Sequence, residues 1–261
     1  MGVSKGKPKP RLKRTAGASD RLDIHCNRQL TDNSVNVAQN ILHEQFPQMS
    51  GLEDTTLGPC LQFSVQDAEF TQILHTGSNH WVCVSTVGCN RPGQIRLFDS
   101  LSNGYTTSSV DRQIASLLHH TAGNVITIEV VPVQQQTNGV DCGPMAITFA
   151  ASLCFGVNPA DATYNREMLR PHLLKCIGSG AFSQFPESNR AVRKCLGKQL
   201  YIQIHCSCRL PLWPGDRDGT LTYDCSSCRR VFHRACVNIP LEMILGGRFW
   251  TCPDCERGAR H

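Results

Sequence analysis

The sequence predicts an α+β protein with a second, smaller domain that is rich in cysteine. Apolar residues at helical spacing alternate with short runs of β-branched residues along the first part of the chain. Seven of the fifteen cysteines lie between Cys206 and Cys255, and the other eight are scattered over the first 195 residues. This distribution predicts a basic disordered tail over residues 1–21, a main domain over 22–196 and a cysteine-rich domain over 197–261.

The main domain is expected to begin with a helix and to continue with short strands. Thr31 or Asp32 can cap the first helix, and Pro47 ends it. Two β-type runs follow at 81–84 and 95–98, separated by turn residues. The remaining predicted elements are a helix at 110–119, a strand at 125–133, a buried helix at 145–155, a helix at 166–177 and a connector at 178–198.

The net charge of +5 comes mainly from the N-terminal tail. Such a segment is typical of a disordered basic arm or of a nuclear-import signal, whereas sequence-specific reading of DNA is a weaker interpretation. We therefore expect a nuclear or otherwise cytoplasmic protein, and direct nucleic-acid binding is not expected. The basic residues of the tail are Lys5, Lys7, Lys9, Arg11, Lys13 and Arg14.

The chain shows no secretory signal, and its longest apolar stretch, Met145–Val157, is too short to span a bilayer. No membrane partner is therefore expected. In a reducing compartment, cysteines are metal ligands, nucleophiles or small buried hydrophobic residues rather than disulfides. Cys83, Cys89, Cys154 and Cys176 are interpreted as buried hydrophobic residues.

One cysteine, Cys142, is predicted to lie where a polar loop leads into an apolar helix. A helix N-terminus and a nearby imidazolium both lower the pKa of a thiol, and the thiolate is the reactive form. His80 could supply the imidazolium, and Asp99 could orient its ring. Gln136 and the backbone N–H of Cys142 could stabilise the oxyanion of an acyl transfer. His75 is a rival base that lacks a tryptophan after it.

The motifs around these residues resemble those of the SUMO-specific (Ulp/sentrin-specific) protease family of papain-like cysteine peptidases. They are His80-Trp81, Phe98-Asp99-Ser100 and the run 136–143, which ends in Asp141-Cys142-Gly143. The resemblance covers residues 22–196 and implies a papain-like fold that cleaves after the C-terminal Gly-Gly of a ubiquitin-like modifier, with SUMO favoured. It also implies that Gln136 lines the oxyanion hole and that Trp81 shapes the tunnel for the Gly-Gly tail.

The C-terminal domain has the ligand spacing of two tetrahedral zinc sites. About sixty residues with few aliphatic core positions would scarcely fold alone, so metal binding is expected to supply much of the stability. A disulfide framework is not expected in this compartment. The predicted ligands are Cys206, Cys208, Cys225, Cys228, His233, Cys236, Cys252 and Cys255.

This ligand order, with Trp250 two residues before Cys252, resembles a PHD finger more than a RING finger. The resemblance implies a cross-brace with two structural zinc ions. Cys206, Cys208, His233 and Cys236 would bind one ion, and Cys225, Cys228, Cys252 and Cys255 would bind the other.

The same resemblance raises recognition of the histone H3 tail as one role for the finger. The cage position that is aromatic in trimethyl-lysine readers is Val231 here, and only Trp213 and Tyr223 could offer a ring. Acidic residues could still attract a histone tail or another basic peptide, and a purely structural or partner-binding finger stays open. These acidic residues are Asp216, Asp218 and Asp224.

Taken together, the sequence predicts a cysteine-type isopeptidase or endopeptidase that a PHD-like finger targets to chromatin or to a protein partner. Two rival hypotheses remain. One is a catalytically silent adaptor that binds chromatin or a partner, and the intact set His80, Asp99, Gln136 and Cys142 speaks against it. The other is a deubiquitinase-like or acetyltransferase activity on the same fold.

Overall fold

A mixed β-sheet with helices on both faces forms the main domain, and a small two-stranded sheet lies in the C-terminal domain. The computed structural model describes residues 13–66, 68–119, 123–212, 222–237, 239 and 249–258. The α+β prediction is confirmed. The predicted basic residues before position 13 and the candidate cage residue Trp213, with Asp216 and Asp218, lie outside the described residues.

The helices and strands follow the chain in this order. The helices are α1 Ala18–His25, α2 Asp32–Gln45, α3 Ser108–Leu117, α4 Cys142–Cys154, α5 Arg166–Ser179 and α6 Pro253–Gly258. The strands are β1 Ser50–Gly51, β2 Phe70–His75, β3 Trp81–Ser85, β4 Gln94–Phe98, β5 Val125–Val130, β6 Lys198–Gln203, β7 Thr222–Asp224 and β8 Val231–His233.

Local sequence signals explain most of these limits. Thr31 caps α2, because its hydroxyl accepts a hydrogen bond from the Ser34 N–H at 3.2 Å. The helix α2 ends just before Pro47, as predicted. Strand β5 ends at Val130 rather than at 133 as predicted. The Val133 N–H donates to the Val131 carbonyl at 2.8 Å, so the chain turns there instead of continuing the strand.

The large sheet has the strand order β1-β2-β3-β4-β5-β6, with β1–β2 and β4–β5 parallel and the other pairs antiparallel. Successive side chains of a strand point to opposite faces, so β3 divides its residues between two cores. Trp81 and Cys83 join the core shared with α1, α2, α4 and α5, whereas Val82 and Val84 join the core that α3 covers.

Helix α4 packs across β2 and β3, and every one of its 13 residues is buried. This explains why the helix is apolar on all sides, since no face of it meets water. Pro144 lies in the first turn, where a missing N–H costs no hydrogen bond. Among the described residues, none of the helices combines the length and the apolar character needed to cross a lipid bilayer.

Two elements do not follow the predicted domain boundaries: α1 crosses the boundary at residue 21, and β6 lies beyond the boundary at residue 196. Helix α1 begins inside the segment predicted as a disordered tail, and Ile24 on this helix is fully buried. Strand β6 was assigned to the cysteine-rich domain but pairs with β5 along its full length, from Lys198 opposite Val130 to Gln203 opposite Val125. The sheet of the main domain therefore extends to about the first zinc-ligand candidate, Cys206.

We predict that a fragment ending at Gly197 is less stable than a fragment ending at His205. The longer fragment keeps Ile202 and Ile204, which are 5% and 1% exposed in the core under α3. Burying two isoleucine side chains contributes about 3–6 kcal/mol. Thermal unfolding of the two fragments measures the difference, and equal stabilities would show that β6 is no part of the main domain.

Candidate active site

His80 and Asp99 meet at one end of the antiparallel pair β3–β4. His80 directly precedes β3, and Asp99 directly follows β4. The imidazole Nε2 lies 2.7 Å from the Asp99 carboxylate, which also accepts a hydrogen bond from the Leu101 N–H at 2.8 Å. The carboxylate therefore fixes the ring orientation. Asn79, directly before His80, turns the chain into the strand with φ 51°, a left-handed conformation that asparagine tolerates better than most residues.

Cys142 is the first residue of α4, as the sequence predicted, and it is 2% exposed. Burial disfavours the thiolate, yet hydrogen bonds from the His80 side chain and from the backbone N–H groups of Trp81 and Gly143 outweigh it. They lower the pKa of the Cys142 thiol below its usual value of 9.0. The helix N-terminus acts in the same direction.

The pKa of the His80 imidazole is shifted in the opposite direction to that of the thiol. Burial disfavours the imidazolium, but hydrogen bonds to Asp99 and Cys142, together with their negative charges, raise the pKa of His80 to about 9. A lowered thiol pKa and a raised imidazole pKa favour the same state, a thiolate beside an imidazolium. The arrangement can therefore present an ionised nucleophile together with a proton donor.

Gln136 is bonded to Ser100, the residue after Asp99, and its amide is held on both sides. The Ser100 hydroxyl donates to Oε1 at 2.7 Å, and Nε2 donates to the Asn138 carbonyl at 2.6 Å. The Gln136 backbone N–H also donates to the Ser100 carbonyl at 2.7 Å. Because Nε2 carries two hydrogens, one N–H remains for a developing oxyanion.

A cavity of about 360 Å³ opens next to Trp81 and Asn79. The Trp81 indole N–H donates to the Leu30 carbonyl at 3.1 Å, which fixes the ring in the cavity wall. Leu30 also packs against Gly143, where an added Cβ would come within 2.9 Å of the Leu30 Cβ. The glycine after the nucleophile is thus required by the close approach of the two chain segments.

The rival base His75 does not join the catalytic pair. It lines the same cavity and meets the Trp81 ring edge-on, with ring centroids 4.7 Å apart. Burial and the neighbouring charge of His80 lower the pKa of His75. A neutral ring in the cavity wall is therefore expected, while His80 is the histidine in contact with Cys142.

Sequence reasoning missed several polar residues that connect these side chains. The Gln135 amide donates to the Asp99 carbonyl at 2.9 Å and accepts from the Ser102 N–H at 3.0 Å. The three consecutive glutamines at 134–136 show no spacing pattern of their own. Only Gln136 was predicted as a site residue, because of its position before Cys142. Of the cysteines predicted to be buried, Cys83, Cys154 and Cys176 are buried, but Cys89 is half-buried.

The eight predicted metal ligands form two groups of four. Within each group the ligand atoms all lie within 4.8 Å of one another, and the grouping is the interleaved one that the resemblance implied. The Cys228 and Cys252 sulfurs are 3.8 Å apart. A tetrahedron with metal–sulfur bonds of about 2.3 Å places its sulfurs about 3.8 Å apart, so this donor set fits zinc. The groups are Cys206, Cys208, His233 and Cys236, and Cys225, Cys228, Cys252 and Cys255.

The hairpin β7–β8 and one aromatic contact join the two groups. Cys225 follows β7, and His233 ends β8. Phe232 packs edge-on against Trp250 with ring centroids 5.3 Å apart, and Trp250 leads into Cys252. Beyond the cysteines, the described core of this domain consists of little else, which agrees with a fold that depends on metal.

Two family models match the chain. Residues 70–175 match the Ulp1 protease family, C-terminal catalytic domain, and residues 206–255 match the PHD-finger. The chain is 37% identical over 130 residues to NEDD8-specific protease 1 of Schizosaccharomyces pombe. The aligned region covers 43% of this chain and 30% of the relative. It thus spans less than a third of that relative's length.

Solved structures show the same fold. The SUMO protease Ulp1 with its catalytic cysteine oxidised to a sulfenic acid matches with a TM-score of 0.51 at 15% identity, over 63% of this chain and 84% of that one. The C-terminal Ulp1 protease domain in complex with SMT3, the yeast ortholog of SUMO, matches with a TM-score of 0.52 at 15% identity, over 67% and 90%. Residues 70–175 are therefore similar to the catalytic domain of the Ulp1 protease family and share its fold, and residues 206–255, C-terminal to them, are similar to a PHD-finger.

Proposed function

We propose that this protein is a cysteine-type isopeptidase or endopeptidase that cleaves after the C-terminal Gly-Gly of a ubiquitin-like modifier. The observation that carries the proposal is the placement of Cys142 at the first position of α4, where its sulfur lies 4.0 Å from the carbonyl of Asn79, the residue before His80. Asp99 orients the His80 ring, and a cavity walled by Trp81 opens beside it. An extended tail without side chains, such as Gly-Gly, suits a narrow approach to a thiolate that is itself buried.

The proposed reaction uses four residues. The Cys142 thiolate bonds to the carbonyl carbon of the terminal glycine, and the Gln136 amide and the Cys142 N–H stabilise the oxyanion. The C–N bond then breaks as His80 transfers its proton to the leaving amine, which leaves a thioester. A water molecule gives a proton to His80 and attacks the thioester, which releases the modifier and restores the thiolate and the imidazolium.

Two modifiers are candidates. The motifs around Cys142 favour SUMO by family resemblance, and the structural neighbours named above act on SUMO. The relative with 37% identity is named as specific for NEDD8, which makes NEDD8 an equal candidate. Both modifiers are therefore tested side by side, with ubiquitin as the third.

The proposed zinc ions are structural, one in each cysteine-rich group, and the finger is proposed to target the protease to chromatin or to a protein partner. Val231 lies on β8 opposite Asp224 of β7. By resemblance to PHD fingers, this valine occupies the position that is aromatic in trimethyl-lysine readers. An unmodified histone H3 tail or another basic peptide is the partner that the acidic side chain of Asp224 favours. A nuclear location follows from this role and from the basic tail.

The rival functions are less well supported. A silent adaptor would have no need for a thiol whose pKa is lowered by His80 and for an imidazole whose pKa is raised by Asp99. A deubiquitinase-like or acetyltransferase activity would use the same centre, so the choice of acyl group decides between these activities. An adduct with an electrophilic-tailed ubiquitin, and none with SUMO or NEDD8, would favour the deubiquitinase-like activity.

We predict that electrophilic-tailed SUMO or NEDD8 forms a covalent adduct with the wild-type protein and not with Cys142→Ala. The adduct forms because the thiolate attacks the tail in the position of the scissile carbonyl. Mass spectrometry detects it, and Cys60→Ala, which removes an exposed cysteine, serves as the control that keeps the adduct. If none of SUMO, NEDD8 and ubiquitin forms an adduct, the proposed activity is wrong.

We predict a bell-shaped pH dependence of kcat/KM. The rate rises as Cys142 ionises, below the ordinary thiol value of 9.0, and falls as the pH passes about 9, where His80 loses the proton that the leaving amine needs. Asp99→Asn removes the carboxylate that raises the His80 pKa, so the alkaline limb should move to lower pH. Asp161→Asn, which changes an exposed carboxylate bound to Asn158, should leave both limbs in place.

We predict two zinc ions per chain by metal analysis, one for each group of four ligands. Cys225→Ala should lower this number and the unfolding temperature of the finger, because its fold depends on the metal. Cys26→Ala, which changes an exposed cysteine outside both groups, is the matched control. A finger that keeps its fold after complete chelation would contradict the assignment.

A further inference from the structure

Arg170 on α5 is a buried arginine that joins two distant segments of the main domain. It is 5% exposed, and its guanidinium has hydrogen-bonding partners on both sides. Nη2 donates to the Val140 carbonyl at 2.7 Å, and Nε donates to the Asp141 carboxylate at 3.1 Å. Nη1 reaches the Asp23 and Ile24 carbonyls of α1 at 3.4 and 3.3 Å. The side chain therefore fixes the loop before Cys142 against α1.

Asp141 is the residue whose orientation Arg170 controls. It is the N-cap of α4, a position where an aspartate usually accepts a hydrogen bond from the first turn, but its side chain makes no such bond. One carboxylate oxygen instead faces Arg170, and the other accepts from the Asn138 amide at 2.7 Å. Arg166, one turn earlier on α5, lies 3.8 Å from that second oxygen. An otherwise ordinary cap is thus used to anchor the loop.

Asn138 extends the connection to Gln136. Its side-chain oxygen accepts from the Val140 and Asp141 N–H groups, each at 3.0 Å. Its backbone carbonyl accepts from the Gln136 amide at 2.6 Å. A continuous series of hydrogen bonds therefore runs from Arg170 through Asp141 and Asn138 to the Gln136 side chain.

We propose that Arg170 is a positioning residue for the oxyanion hole. Through Asp141 it sets the backbone that carries the Cys142 N–H, and through Asp141 and Asn138 it sets the Gln136 amide. Both proposed oxyanion donors are thus adjusted by one guanidinium, which itself touches neither the substrate nor the thiol. This inference rests on the proposed function, because the oxyanion arises only in acyl transfer.

The planar guanidinium is needed for this role. It bonds Val140, Asp141 and α1 at once, whereas the ammonium of a lysine is a compact charge that cannot reproduce the fork. Lysine keeps the positive charge opposite the carboxylate of Asp141, the residue before Cys142, so the net charge of this region is preserved. Arg170→Lys therefore separates the positioning of the donors from the ionisation of the nucleophile.

The test compares two reactions of the same cysteine in the full-length, zinc-loaded protein. Arg170→Lys should lower kcat for hydrolysis of a modifier-aminomethylcoumarin substrate about 10-fold to 100-fold with KM unchanged, since oxyanion donors misplaced by about 1 Å lose this much. Alkylation of Cys142 by iodoacetamide forms no oxyanion. Its rate and its pH profile should therefore stay at the wild-type values.

Asp141→Asn is the second variant, and it should show the same loss of kcat. The double variant should lose no more of its kcat than the single variant with the larger loss, because both residues belong to the same series of hydrogen bonds. Arg96→Lys is the matched control. Arg96 is also largely buried, with Glu129 at 3.6 Å and the Asn158 amide oxygen at 3.2 Å, and its variant should keep the wild-type kcat.

The outcomes distinguish the two proposals. A wild-type protein that hydrolyses none of the SUMO, NEDD8 and ubiquitin substrates overturns the proposed function and this inference with it. An active wild type with folded Arg170→Lys at the wild-type kcat overturns this inference alone. A parallel loss of alkylation and hydrolysis also overturns it, because Arg170 would then act on the nucleophile. If thermal unfolding shows that Arg170→Lys does not fold, Asp141→Asn decides.

Discussion

The contact between the Cys142 thiol and the His80 imidazole is the interaction that the main domain has to hold in place. Both groups are largely buried, and burial alone would keep both neutral. Each charge is stable only because the other stands beside it and because Asp99 completes the pair. Removing one member would therefore leave an uncompensated group in the interior, which makes the three side chains a single unit rather than three separate contributions.

The fold brings this unit together at the ends of secondary-structure elements. His80 comes before β3, Asp99 comes after β4, and Cys142 opens α4, which lies across the sheet. The two hydrophobic cores fix the sheet and the helix as rigid parts. The polar loops then supply the fine adjustment: Ser100 and Gln135 connect the loop after β4 to the glutamine segment, and Leu30 closes against Gly143.

The sequence predicted the helices α2 to α5, because these depend on local periodicity, but it missed α1, which begins inside the predicted tail. The roles of the reacting residues stay a prediction from motifs that lie within a few residues. The buried contacts of Arg170 could not be predicted, because its partners Ile24 and Val140 lie 146 and 30 residues away along the chain. The residues of β6 were assigned to the cysteine-rich domain, although β6 pairs with β5 in the main sheet. A strand with one buried residue lacks the apolar alternation that would indicate a sheet. The grouping of the zinc ligands came from family resemblance, because spacing alone allows several pairings.

The thiolate–imidazolium pair of Cys142 and His80 in the resting protein can be measured directly. The difference in ultraviolet thiolate absorbance between the wild type and Cys142→Ala isolates this one sulfur, because all the other cysteines cancel. We expect the difference signal to titrate below the ordinary thiol pKa of 9.0. In Asp99→Asn this titration should move upward. A signal that appears only at or above the ordinary thiol pKa would show that the resting protein holds no such ion pair.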